Sequence, residues 1–172
     1  MPNQLADDEE LAGLESGDDV AAAAARIYGS TLTERGLIHA AAVWQGDRGR
    51  LVALRPEDAV ARCHHAGLAG CLARARADAI LTTGAALRRQ PTLDHRLGGP
   101  GALGGALTAW RHEHLGKSEP PITLVVTPDA DLELEHPIFR YWTRPVVLTS
   151  PHSQWQLESR AVDFGIEVVG VE

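Results

Sequence analysis

R-A-R-A-D-A-I-L-T-T-G-A-A-L-R-R-Q-P-T-L-D-H-R, Arg74–Arg96, is the stretch whose reading decides the fold. Its centre, Asp78–Thr83, is a short apolar and β-branched run bounded by Gly84, and it reads as a strand. Upstream, Arg55–Ala77 opens with Pro56 and two acids, the preferred first turn of a helix. There Val60, Cys63, Leu68, Cys71, Leu72 and Ala75 recur near helical spacing, which predicts one buried face. The alternation continues downstream: a helix over Ala106–Leu115, a strand at Ile122–Thr127, another at Pro145–Thr149, a helix over Ser153–Val162 and a last strand at Ile166–Val171. Further upstream, Asp19–Gly29 reads as a helix capped by Asp19, and Leu37–Trp44 as a buried strand. Short strands separated by helices predict an α/β three-layer domain with a mostly parallel sheet.

Length and charge limit the function classes. A chain of 172 residues with 44% hydrophobic and 23% charged residues suits one soluble domain. Seven of its 23 acids lie in residues 1–19, which carry no base, leaving 16 acids against 16 Lys and Arg elsewhere. Residues 1–19 therefore read as an acidic, solvated leader, and 20–172 as the single domain. A neutral body offers no long-range attraction to polyanions, so nucleic acid is not an expected partner. No apolar run approaches the roughly 18 residues that span a bilayer, so no membrane is expected either. Cys63 and Cys71 lie eight apart in one predicted helix, which argues against a disulfide and for the cytoplasm. The last strand, Ile166–Val171, has no later element beside it, so either it is an edge or a second chain supplies its neighbour.

Three motif readings fail on context. G-P-G-A-L-G, Gly99–Gly104, spells a dinucleotide fingerprint, but the preceding Arg88–Arg96 is charged and Pro-broken where a buried strand is required. Its glycine-rich surroundings, Leu97–Gly105, read as a loop before a helix. Cys63-His64-His65 and His112-x-His114 lack paired metal-ligand spacings. No G-x-S-x-G is present, and Cys63 and Cys71 read as small apolar residues.

The opening stretch resembles the signature of the reductase domain of the bacterial bifunctional riboflavin-biosynthesis deaminase–reductase, approximately R-A-x-x-D-A-I-L-x-G-x-G-T-V-R-A-D-D-P-x-L-x-x-R. The likeness is clearest over about twenty residues and extends weakly from Leu37 onward through the order of elements, including P-P-I-T-L-V-V-T and P-V-V-L-T. It implies a dihydrofolate-reductase-like fold, NADPH as cofactor, and reduction of the ribosyl group of a phosphorylated aminopyrimidine to ribityl. Carried over, Arg74 and Arg96 would hold the substrate and Leu93 would line its pocket. Guanidinium groups fork onto phosphate oxygens, which suits that role. Ala41, Gly46, Thr83 and Gly84 would lie along the cofactor.

The chain departs from the family at several cofactor positions. Ala86 stands where the family has Thr, Val43 and Gln45 where it has Ser and Asp, and the acids before Pro91 are replaced by Arg88, Arg89 and Gln90. The family's diphosphate-binding glycine loop would fall beyond Glu172. Two functions are therefore expected to compete. One is an NADPH-dependent reductase, completed as a homo-oligomer or by a complementing partner chain. The other is a non-catalytic reductase-like module that binds a ligand or a protein.

Overall fold

The computed structural model describes residues 13–29, 36, 43–45, 49–53, 64–98, 102–140 and 144–172. The chain divides into two compact units, residues 1–76 with 97–118, and 77–96 with 119–172. Each has a buried apolar cluster of its own.

The first unit is mainly helical: α1 (Gly17–Tyr28), a hairpin of β1 (Val43–Gln45) and β2 (Leu51–Ala53), α2 (His64–Arg76) and α4 (Ala102–Glu113). The α1 cap is Ser16, not Asp19. Ser16 Oγ accepts from Asp19 N, while the Asp19 carboxylate accepts from Ser16 N at 2.9 Å, a reciprocal capping box. Its apolar stripe, Val20, Ala23 and Ala24, packs with Leu72, Leu107 and Trp110. Leu14 belongs to that cluster, so the later part of the acidic leader is structural. Helix α2 ends against two cations. Arg111 Nη1 donates to Ala75 O at 2.7 Å and Lys117 Nζ donates to Arg76 O, which satisfies carbonyls that a helix terminus leaves open and places positive charge at the negative end of the dipole.

Helix α4 begins at Ala102, four residues before the sequence suggests, so Gly104 and Gly105 are helical rather than loop. Helix propensity alone penalises a glycine pair by about 1 kcal/mol each relative to Ala. Here Ala106, Leu107 and Trp110 on the same helix are buried, and packing overrides it.

The second unit holds β3 (Ala79–Thr83), α3 (Gly84–Arg89), β4 (Ile122–Val126), β5 (Arg144–Thr149), α5 (Pro151–Ala161) and β6 (Glu167–Gly170), with short 3-10 turns at Pro137–Phe139 and Val162–Phe164. The four strands form an all-parallel sheet in chain order, β3-β4-β5-β6. Thr123, Val125, Val147 and Thr149 alternate onto one face, packed with Leu157 and Ala161 of α5 and Ile138 of the 3-10 turn. On the other face Leu81 is 66% and Val126 38% exposed, while Val146 is buried. Helix α5 starts at Pro151 with Ser150 as its cap, two residues before the sequence expectation. Proline's fixed φ suits the first helical position.

The loop after β4 is tied down by buried His136. Its Nδ1 accepts from Ile138 N, which leaves Nε2 as the protonated nitrogen donating to Gln90 O at 3.0 Å. Arg160 adds bonds to Ala130 O and Leu132 O. Among the described residues no helix is long and apolar enough to cross a membrane.

Replacing Ser16 by Ala is expected to lower stability by about 1 kcal/mol in urea unfolding, the usual cost of a lost N-cap. Hydrogen bonds from Ser16 hold the Asp19 carboxyl below its ordinary value. Its contribution is therefore complete above the ordinary aspartate range and is lost as pH falls through the lowered value. Helical circular dichroism followed into acid checks this, and Asp19→Asn should flatten that part of the profile.

Candidate functional site

The carboxyl ends of parallel strands are where open α/β sheets take ligands, because loops diverge there and helix starts point inward. In the second unit, β3, β4 and β5 bring Thr83, Gly84, Thr127, Thr149 and Ser150 to that edge. Thr83 Oγ1 accepts from Ala86 N at 3.1 Å and caps α3. Gly84 is buried against β4: a Cβ there would lie 3.0 Å from Thr127 Oγ1 and 3.1 Å from its Cβ. The strand-to-helix turn thus approaches the neighbouring strand so closely that a side chain would fit only if Thr127 gave way by a few tenths of an ångström.

Thr127 Oγ1 donates to Asp129 O at 3.2 Å. Ser150 Oγ and Ser153 Oγ both donate to Pro128 O, at 3.1 and 3.3 Å, joining the end of β4 to the first turn of α5. Thr149 lies between them in register with Gly170, whose Cβ position faces Pro151 and Gln154 of α5. Its hydroxyl is 2% exposed at the residue level and has no hydrogen-bond partner among the described residues. A buried hydroxyl in that state costs about 1–3 kcal/mol.

The residues singled out from the sequence are distributed as follows. Thr83 and Gly84 stand at this edge. Leu93 is half-buried against the second unit's core. Arg96 is clasped by its own neighbour: Asp94 accepts from Arg96 Nε at 2.8 Å and lies 2.6 Å from Nη2. Between them His95 is buried, with Nδ1 3.0 Å from Thr123 Oγ1. Arg74 belongs to the first unit, on α2, where Nη2 sits 3.3 Å from Cys71 Sγ and Nε is buried with no partner among the described residues. Ala41 and Gly46 lie outside the described residues, as do Cys63 and Gly99–Gly101.

The glycine-rich run has a packing role. Gly98 takes φ +68°, and a Cβ there would fall 2.9 Å from Gly104 N and 3.0 Å from Leu103 and Leu107 side-chain atoms. It packs on the first turns of α4, and the described residues leading to it, 90–98, contain no strand. Sequence reasoning missed the hydroxyl cluster Thr127, Thr149, Ser150 and Ser153. The available signal was T-S-P-H-S, Thr149–Ser153, a cap residue followed by proline at the first helical position. Among the described residues no group of three or more His, Cys, Asp or Glu side chains could hold a metal ion.

Thr149→Val should leave stability unchanged or raise it, because it removes an unsatisfied polar atom at nearly constant volume. Gly84→Ala should lower it by about 1–3 kcal/mol through overpacking against Thr127. Parallel urea titrations compare the two, and a marked loss in Thr149→Val would show that the hydroxyl has a partner in solution. No protein-family profile, curated protein or solved structure matches the chain.

Proposed function

We propose that this chain is a reductase-type α/β domain, of the dihydrofolate-reductase-like kind used in riboflavin biosynthesis. In this reading it takes NADPH and a phosphorylated aminopyrimidine at the carboxyl edge of β3–β5. One observation carries the reading. The core of the family-like signature, Asp78–Gly84, is a parallel strand whose last residue caps the following helix and whose glycine packs on the next strand's threonine. A ligand approaching that edge meets backbone rather than side chains, as a glycine at a strand-to-helix turn permits.

The roles follow from position. Thr83 and Gly84 present main chain to the cofactor, and Leu93 supplies an apolar wall. The first turn of α5 carries no acidic residue and offers the positive end of an 11-residue helix to a phosphate. When bound, reduced nicotinamide would supply the hydride that the ribosyl carbon takes up.

A second reading, a non-catalytic reductase-like module, is favoured by the Arg96–Asp94 pair. A guanidinium whose Nε and one Nη already face a carboxylate has less to offer a phosphate. Ala86 also lacks the hydroxyl the family places there.

Titrating NADPH into the full chain while following nicotinamide fluorescence tests the first reading. Saturable binding, weakened in Gly84→Ala, is expected; no binding at millimolar cofactor rejects it. Binding of the phosphorylated aminopyrimidine without NADPH would favour the module. Asp94→Asn releases Arg96 from its carboxylate and is expected to tighten that ligand several-fold at low salt. An unchanged affinity, measured by calorimetry, removes Arg96 from the pocket.

A further inference from the structure

We propose that the outer edge of β3 is an interaction surface for a second copy of this chain, paired antiparallel about a two-fold axis at Leu81. Among the described residues strand β3 stands at one end of the sheet order and pairs with β4 alone. Ile122 N donates to Asp78 O at 2.9 Å. In a parallel ladder the peptide groups alternate sides, so Asp78, Ile80 and Thr82 face β4 while Ala79, Leu81 and Thr83 face outward. The Thr83 carbonyl begins α3. The N–H groups of all three residues and the carbonyls of Ala79 and Leu81 therefore line the edge.

Such a row templates another strand, and proteins usually blunt it with charge, proline or a bulge. A-I-L-T-T, Ala79–Thr83, carries no charge and no proline, and its five pairs with β4 run without a bulge. The opposite edge is different: β6 begins at Glu167, which pairs with Arg144 at 2.9 Å. The sequence directs attention to the last strand as the one lacking a neighbour, whereas the less guarded edge is β3.

The strand's own chemistry selects the occupant. A two-fold at Leu81 sets Leu81 opposite the second copy's Leu81 as a fully hydrogen-bonded pair, and Ala79 opposite its Thr83, joined by the Thr83 N–H to the Ala79 carbonyl. An uncharged strand meets no like charge when opposed to itself. A foreign strand would be read through pockets flanking the edge. Here Leu81, 66% exposed, and Val126, 38% exposed, stand out of the surface and suit a symmetric apolar contact. Parallel pairing of β6 onto β3 would also fill the edge, but it would propagate without closing.

Light scattering over a concentration series is expected to give twice the 18.4-kDa protomer mass at high concentration and the protomer on dilution. Leu81→Lys should raise the dissociation constant by about tenfold or more, with far-ultraviolet circular dichroism unchanged because the side chain is already in water. Hydrogen exchange on the unaltered chain gives an independent readout. The Leu81 and Thr83 amides should gain protection with concentration, and the outward Val168 and Gly170 amides should not. Protomer mass at every concentration, a dimer with Leu81 and Thr83 exchanging freely, or a ladder of growing oligomers would each overturn the proposal.

Discussion

Four strands laid down parallel and in chain order organise the second unit, and α5 with the 3-10 turn packs on the face that carries Val125 and Val147. The covered face takes Thr123, Val125 and Val147 with α5 and the 3-10 turn, leaving Leu81 and Val126 in water. The same topology delivers three successive carboxyl ends to one edge, where Gly84, Thr127 and Ser150 meet. It also makes β3, the first strand of the sheet, an outer strand. The candidate ligand edge and the candidate pairing edge therefore lie on adjoining sides of one strand.

The first unit is held differently. Its described helices bury small residues, Ala23, Ala24, Ala75 and Ala106, beside Trp110, so close approach of helices replaces large apolar side chains. Polar chemistry sits at the ends: the Ser16–Asp19 box opens α1, and Arg111 and Lys117 close α2. Arg111 is 4% exposed yet donates to a helix-terminal carbonyl, which is how a buried cation is tolerated. Arg74, the residue before Ala75 in α2, reaches back one turn to Cys71.

Local signals were legible in proportion to how local their physics is. β3, β4, β5 and β6 fall where β-branched runs occur in the sequence, because such side chains favour the pleated, half-buried surface of a sheet. Helix starts were less legible. Ser16 and Ser150 supply the caps where Asp19 and Ser153 lie nearby, since several oxygens compete for each set of free amides and tertiary packing decides among them. Helix α3 was missed because six residues between a strand and a proline are too short to show a helical period. The site's hydroxyls were missed for another reason: Thr127 and Thr149 are ordinary strand residues until the register of two strands sets them side by side.

By itself the sequence determined the alternation of strands and helices, the apolar faces of those elements, and the turn at Thr83–Gly84, because propensity, periodicity and capping act within a few residues. Only the tertiary structure decided that Gly84 rests on Thr127, that Asp94 occupies Arg96 and, among the described residues, that Thr149 is buried without a partner and that β3 ends the sheet. Each of those depends on contacts between segments that strand order and register bring together, and neither composition nor local spacing encodes them.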